Sequence, residues 1–301
     1  MLTLPTKDHE SGTCPLCGCN VADVVFEYPA GGMLWPLYDC KVCDFSFIRP
    51  MPLEFLEERK MESIEDAELF SPLFKKLHET LILGREERSI RTICNKAQID
   101  LLDIGCGSGW STDFWRRKGA NVEAVEPSQV RCEYARRQYG LTVHNCYVEE
   151  LDLPGKFDVV VLRHILEHLE HPAAIIDSVR QLLKDDGVIL LVVPNIDCIG
   201  RKIFGRHWEW VLPWHCNFFT PRSIVNLAES CGFTAVTTYQ SPSPLYYGES
   251  LGRSLRSPLL EGFFAGNRLA GLPVALPLAL LGILSGRGDN VTVIARKGRE
   301  A

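Results

Sequence analysis

The chain has 301 residues, 46% of them hydrophobic, and a formal net charge of −6. That length supports one large core, or a main domain with a small appendage, and the negative charge argues against a surface built for phosphate backbones or acidic membranes. The first residues lack the charged-then-apolar pattern of a secretion signal, and twelve cysteines in so long a chain point to metal and buried thiols in a reducing, cytoplasmic setting.

Residues 1–50 read as a unit. Cys14-Pro-Leu-Cys17 and Cys40-Lys-Val-Cys43 form two CxxC turns with 22 residues between them. Each turn presents two thiolates to one ion, and two turns complete a tetrahedron, so Cys14, Cys17, Cys40 and Cys43 are the expected ligands of a structural zinc ribbon. Cys19 is either a bystander or a substitute ligand. Four thiolates close the coordination sphere, which leaves such a zinc no catalytic role. The segment carries three basic residues (Lys7, Lys41, Arg49) against six acidic ones, and an acidic ribbon is poorly suited to nucleic acid.

Residues 51–95 show no strand pattern. Leu53, Phe55 and Leu56 begin one helical pattern that ends near Ser71-Pro72, and Phe74, Leu77, Leu81 and Ile82 carry a second. This segment is expected to be a helical linker, packed on the main domain or closing over its site.

From residue 96 onward strands alternate with helices. Ile99–Ile104 is an apolar run suited to a buried parallel strand, Gly105-Cys106-Gly107-Ser108-Gly109 is a turn, and Trp110–Lys118 reads as a helix with Phe114 and Trp115 toward the sheet. The GxGxG spacing differs from the dinucleotide-binding GxGxxG. A second strand, Asn121–Val125, ends in Glu126-Pro127-Ser128, where an acidic residue can accept from two ribose hydroxyls and Ser128 can cap a helix reaching about Tyr139. Further strands are expected at Thr142–Cys146, Phe157–Leu162 and Val188–Val193, with a helix over Pro172–Leu183, which makes a parallel α/β sheet.

LDIGCGSG, VEPS, LPGKFDVVVLRHILEHLEHP and LLKDDGVILLVVPN, in that order over about residues 97–240, resemble the class I S-adenosylmethionine-dependent methyltransferases. Gly232–Tyr239 and Asp289–Arg296 resemble the last two strands of that fold. The resemblance implies a Rossmann-like α/β seven-stranded sheet behind an N-terminal zinc ribbon and helical linker. It implies S-adenosylmethionine lying against the bare backbone of Gly105, Cys106, Gly107 and Gly109, with Asp103 orienting the turn. By the same likeness Glu126 holds the ribose, Pro127 and Tyr147 flank the cofactor, and Arg163 borders it.

Methyl transfer to a hydroxyl or carbon acid needs a proton acceptor. His164 and His168 follow the fourth strand, where open α/β sheets place ligands, and His215 lies in WHCNFFTPRS after the fifth. All three are candidates, with plainer alternatives: His164 contacting the cofactor or capping a turn, His168 serving structure. Trp208, Trp210 and Trp214 either floor an apolar pocket or hold the loop as an aromatic cluster. After the fourth strand there is no Asn/Asp-Pro-Pro-aromatic block, which in related enzymes marks amino methylation, so the resemblance favours a small-molecule acceptor (sugar, lipid or natural product) over DNA.

Between Tyr239 and Asp289 lies an insert, about 241–288. Leu269–Gly286 is uncharged but broken by Pro273 and Pro277, which suggests an apolar helical hairpin rather than a membrane span. Residues 258–286 are expected to cover the acceptor, contact a second copy, or touch a membrane surface. The expected organisation is therefore a ribbon (1–50), a linker (51–95) and a methyltransferase domain (96–301). The rivals are an RNA methyltransferase gripping RNA with its ribbon, disfavoured by charge, and a non-catalytic scaffold that only binds the cofactor.

Overall fold

A computed structural model describes residues 12–21, 23–30, 33–49, 51, 72–151, 153, 155–212, 214–243 and 247–298. The helix expected to begin at Leu53 lies outside the described residues, as does the start of the ribbon segment.

The N-terminal strands β1 (Val24–Ala30), β2 (Met33–Cys40) and β3 (Phe45–Ile48) pair antiparallel in sequence order. The outer edge of β3 is covered by β9 (Asn217–Phe218), which arrives from the other half of the chain. Tyr38, Phe45 and Phe47 stack on one another and reach Phe219, with the Phe45 and Phe219 ring centroids 5.1 Å apart. These side chains and Cys14, Cys40 and Cys43 share one core with Leu102, Ile104 and Leu162 of the main sheet. The ribbon is thus packed into the larger domain.

The linker helix runs as α1 (Pro72–His78), a π-helical stretch (Glu79–Leu83) and α2 (Gly84–Cys94). Among the described side chains of this helix, Leu83, Glu86 and Ile90 are buried while Leu77 and Leu81 point to solvent, and the side chain of Phe74 lies outside those described. This corrects the expected apolar face. The i→i+5 bonding of the π-helical stretch shifts the helical register, so residues spaced for one face before it do not continue that face after it.

The main sheet has the order β10-β11-β8-β7-β4-β5-β6. Strands β4 (Asp100–Ile104), β5 (Asn121–Val125), β6 (Thr142–His144), β7 (Phe157–Arg163) and β8 (Leu183–Pro194) are parallel. β11 (Asn290–Lys297) enters antiparallel between β8 and β10 (Phe233–Ser241). Alternate residues serve opposite faces. Leu102, Ile104, Val160 and Leu162 meet α5 (Pro172–Leu182) and α7 (Pro221–Ser230), whereas Leu101, Val159 and Val161 meet α2 and α3 (Trp110–Arg117); α4 (Gln129–Tyr139) packs on β5 and β6, and α6 (Ile199–Phe204) follows β8. Burial on both faces is why these strands read as continuous apolar runs. The last parallel strand is longer than expected, because Leu183 pairs with Phe157 before a bulge at Lys184–Gly187, and the third ends at His144 rather than Cys146.

Strand order reverses at β4, which has β5 on one side and β7 on the other. In open α/β sheets ligands bind outside the carboxyl ends of the strands at such a point. The glycine turn follows β4, and His164 follows β7, so the chain brings both to one crevice.

The insert is not a simple hairpin. Among the described residues it forms three α-helices, α8 (Tyr247–Ser254), α9 (Pro258–Gly266) and α10 (Leu272–Leu284). Small residues Ala275, Ala279 and Gly282 bury one face of α10, while Leu276, Leu280 and Leu284 are exposed. No helix among the described residues is long and apolar enough to cross a membrane.

Candidate active site

The turn after β4 is tied to β5 by its backbone. Gly105 N and Cys106 N both donate to Val125 O, at 2.8 and 3.2 Å. Glu126 closes it from the side: Oε2 accepts from Gly107 N at 2.9 Å and Oε1 from Ser128 N at 3.0 Å. The three glycines serve different needs. A Cβ on Gly105 would lie 2.1 Å from Ile165 Cδ1, and one on Gly109 would meet Ala135 and Leu141 at 2.8 Å. At Gly107 a Cβ would meet nothing within 4 Å. Two glycines therefore admit protein, and Gly107 alone opens onto space a ligand can fill. Cys106 turns its thiol into a small core with Ala124, Cys132 and Ala135, so any ligand contact there is through its backbone.

Asp103, at the end of β4, is buried and accepts from Thr112 Oγ1 at 2.6 Å. Burial pushes its carboxyl up to about 6, against the lowering effect of the Thr112 bond. Pro127 is exposed, and Tyr147, 44% exposed, stands at the rim of the β6 side. Together Asp103, Gly105, Gly107 and Glu126 make a cradle with two carboxylates, bare backbone and an open floor, which fits an amino acid and ribose bearing cofactor.

Arg163 ends β7 and pairs with Glu86, which is fully buried on α2. Sequence reasoning missed Glu86. Its signal was a charged residue at the i+3 position between Leu83 and Ile90, on the buried stripe, where a carboxylate needs a partner. The same helix sets His78 edge-on to Trp110 at 5.2 Å. Burial, then the nearby Arg163 and His164, hold the His78 imidazole down at about 3, hence neutral. The linker thus lies against the crevice.

The three candidate histidines are differently held. His164 has φ +55°, a left-handed conformation that a β-carbon disfavours and that recurs at functional sites. Its Nδ1 lies 3.1 Å from Glu167 Oε1, and its ring stacks on Trp210 at 5.2 Å and 7°. Burial raises the Glu167 carboxyl, but the His164 hydrogen bond and the neighbouring imidazoles outweigh it and hold the carboxyl below its ordinary value. An ionised carboxylate only accepts, so His164 Nδ1–H is the donor, and in the neutral ring Nε2 is the nitrogen that takes up a proton. His168 Nδ1 donates to Trp214 O at 3.0 Å, and buried His215 Nδ1 donates to Trp210 O at 2.9 Å. The His168 and His215 rings meet edge to face at 4.7 Å. Trp210 also stacks on His215 at 5.8 Å, whereas Trp208 is fully buried with Phe204 and Tyr247 in the core beneath the loop. The chain therefore gathers His164, Glu167, His168 and His215 at the carboxyl end of β7, next to the glycine turn through Ile165.

The cysteine quartet is also assembled. Cys14 and Cys43 Sγ lie 3.6 Å apart, Cys17 and Cys40 Sγ 3.5 Å apart. Thiolates on a tetrahedral zinc with bonds of about 2.3 Å sit about 3.8 Å apart, so the four sulfurs fit that ion, and their separation is far from a disulfide's ~2.05 Å. Arg49, just past β3, donates to the carbonyls of Glu170 and Cys216 and to Asn217 Oδ1, so the ribbon grips the loop that carries His215. A cavity of about 470 Å³ between Tyr28 and Arg253 contains none of these residues.

A family model described as a methyltransferase domain matches residues 68–238, more than half of the chain. The protein belongs to this methyltransferase family. Among curated relatives, the ubiquinone biosynthesis O-methyltransferase of Cereibacter sphaeroides is 31% identical over 151 residues, 45% of this methyltransferase and 60% of the relative. The one of Psychrobacter arcticus is 30% identical over 150 residues, 44% and 58% respectively. The methyltransferase thus aligns with about 60% of the length of these relatives. A solved structure from Galdieria sulphuraria, assigned as a sarcosine dimethylglycine methyltransferase, superimposes with a TM-score of 0.52 at 17% identity, covering 72% of this chain and 84% of that one. At that identity the likeness is one of fold, and it agrees with the seven-stranded, Rossmann-like sheet described above.

Proposed function

We propose that this methyltransferase moves a methyl group from S-adenosylmethionine to a hydroxyl oxygen of a small-molecule acceptor. The observation that carries the reading is the His164–Glu167 pair, held 3.1 Å apart at the switch point of the sheet beside the glycine turn. When bound, S-adenosylmethionine supplies an electrophilic methyl group. Glu126 would take the ribose hydroxyls, Asp103 and the backbone at Gly105, Cys106, Gly107 and Gly109 the amino-acid end, with Arg163 beside it and Pro127 and Tyr147 along the adenine side.

His164 is the proton acceptor in this reading. Its Nε2 takes the hydroxyl proton as the oxygen attacks, and Glu167 steadies the imidazolium that forms. Stacking on Trp210 sets the plane of the ring. His168 and His215, each anchored by Nδ1 to a carbonyl, border the acceptor. The names of the relatives favour oxygen over carbon as the acceptor atom, and the acceptor belongs among sugars, lipids and natural-product intermediates.

The four cysteines hold a structural zinc, which fixes the ribbon against the His215 loop. None of the twelve cysteines is joined in a disulfide, in keeping with a reducing, cytoplasmic compartment. The exposed apolar sides of α9 and α10 support contact of 258–286 with a second copy or a membrane surface. The acidic ribbon works against RNA or DNA as partner.

The test uses S-adenosylmethionine with a carbon-13 methyl group, incubated with the protein and a small-molecule extract. A methoxyl carbon in the product is the expected spectrum. A methyl carbon bonded only to carbon or nitrogen would overturn the oxygen assignment.

A further inference from the structure

We propose that Glu167, His168 and His215 form a binding site for a divalent transition-metal ion, separate from the cysteine quartet. One donor atom from each of the three lies within 4.8 Å of the other two. Three features besides proximity support the assignment.

First, both imidazoles are fixed in the tautomer a metal requires. With Nδ1–H committed to the carbonyls of Trp214 and Trp210, at 3.0 and 2.9 Å, the lone pair is on Nε2 in each ring. A second nitrogen donating to a backbone carbonyl is the arrangement found behind metal-ligating histidines, because it orients the ring and raises its basicity. Second, Glu167 is 1% exposed and its Oε2 has no hydrogen-bond partner, while Oε1 is engaged by His164. A buried carboxylate oxygen left without a donor is costly, and a cation resolves that cost. Third, the donors come from two separate loops, 164–168 after β7 and 210–215 after β8, that are pinned together where Cys216 N donates to Glu167 O at 2.9 Å. The loops are thus held in place independently of a metal.

Two imidazoles and one carboxylate suit zinc, manganese, iron or cobalt better than calcium or magnesium, and three protein ligands leave positions open. Donors on one such ion, with bonds of about 2.1 Å, lie about 3.4–4.2 Å apart. The three donor atoms, all within 4.8 Å of one another, are compatible with that spacing.

The open position would receive the acceptor's hydroxyl oxygen, a step that rests on the methyl-transfer reading above. The cation lowers the pKa of that hydroxyl. The O–H bond would break with its proton passing to His164 Nε2, and the oxygen's electron pair would form the bond to the methyl carbon as the methyl–sulfur bond breaks and S-adenosylhomocysteine leaves with that bond's electrons. Glu167 then joins the base to the ion, one oxygen on each.

The experiment adds cobalt(II) to the full chain with its ribbon zinc in place, and follows bound cobalt by dialysis and by absorption. The expected result is one cobalt per chain, with weak d–d bands and no sulfur charge-transfer band, bound at least 100-fold more weakly by His168→Ala and by the near-isosteric Glu167→Gln. Zinc content and thermal midpoint verify that both variants fold. Absence of any cobalt beyond exchange into the thiolate site, or unchanged affinity in both folded variants, overturns the proposal. Cobalt binding in a protein that transfers no methyl would leave the metal site standing and remove the transfer reading instead.

Discussion

Gly105 and Gly107 are one residue apart, yet changing each to alanine should damage different properties. Both have positive φ, +72° and +56°, and a β-carbon in that region costs about 1–2 kcal/mol. At Gly105 the added methyl would sit 2.1 Å from Ile165 Cδ1 and 3.0 Å from Cγ1. The Ile165 side chain must turn aside to make room, and overpacking of this kind costs about 1–3 kcal/mol. Gly105→Ala should therefore lose about 2–5 kcal/mol, or about 4–10 °C of thermal midpoint at roughly 2 °C per kcal/mol for a domain of this size. At Gly107 the methyl meets nothing within 4 Å, so only the backbone cost of about 1–2 kcal/mol remains, about 2–4 °C. Its methyl projects instead into the space assigned to the cofactor, and S-adenosylmethionine affinity should fall at least tenfold. Thermal unfolding and calorimetric titration with S-adenosylmethionine measure both quantities on both variants. If Gly107→Ala binds like the wild type, the cofactor does not lie on this turn. If Gly105→Ala is as stable as Gly107→Ala, the packing argument is wrong.

Other expectations can be checked separately. Glu126→Ala should abolish S-adenosylmethionine binding while zinc content stays at one per chain, since the carboxylate braces the turn at Gly107 and Ser128 rather than the cysteine quartet; retained affinity would contradict its role. Asp103 is raised from 3.8 to about 6 by burial. Its folded form holds the proton more tightly than the unfolded chain does, so its contribution is full below about pH 4 and is lost as pH rises through 6, on the order of 3 kcal/mol. Asp103→Asn should therefore be more stable than wild type at pH 7.5 and no more stable at pH 4, a crossover that denaturant titrations at the two values would detect or exclude. His164→Ala should slow methyl transfer by about 10²–10⁴ with cofactor affinity unchanged; an unaltered rate would shift the proton transfer elsewhere. Removing zinc by chelation should loosen the β3–β9 pairing and with it the His215 loop, read as faster amide exchange at Asn217 and Phe218, and no change there would mean the ribbon does not brace the loop.

The strands and the glycine turn were legible because they are local. Val159–Leu162 and Leu190–Val193 read as doubly buried strands, and Glu126 at the end of its strand marks itself by position. What could not be read is long-range. The Arg163–Glu86 pair spans 77 positions, and nothing local says which face of the linker is buried once the π-helical stretch at Glu79–Leu83 has shifted the register. The three glycines look equivalent in sequence, but Ile165, Ala135 and Leu141, which claim two of them, are brought there by the fold. Likewise His164, His168 and His215 were three similar candidates until their Nδ1 partners separated them, one a carboxylate and two backbone carbonyls. The strand β9 consists of two residues, too short for any pattern, yet it joins the ribbon to the site.

The most direct test of the central claim follows a labelled methyl group. The protein is incubated with S-adenosylmethionine carrying the label and with an extract separated into small molecules, RNA and protein. Label in the small-molecule fraction, absent with His164→Ala and with Glu126→Ala, is the expected result. Label in RNA, or cofactor binding without label in any fraction, would contradict a methyltransferase acting on a small molecule.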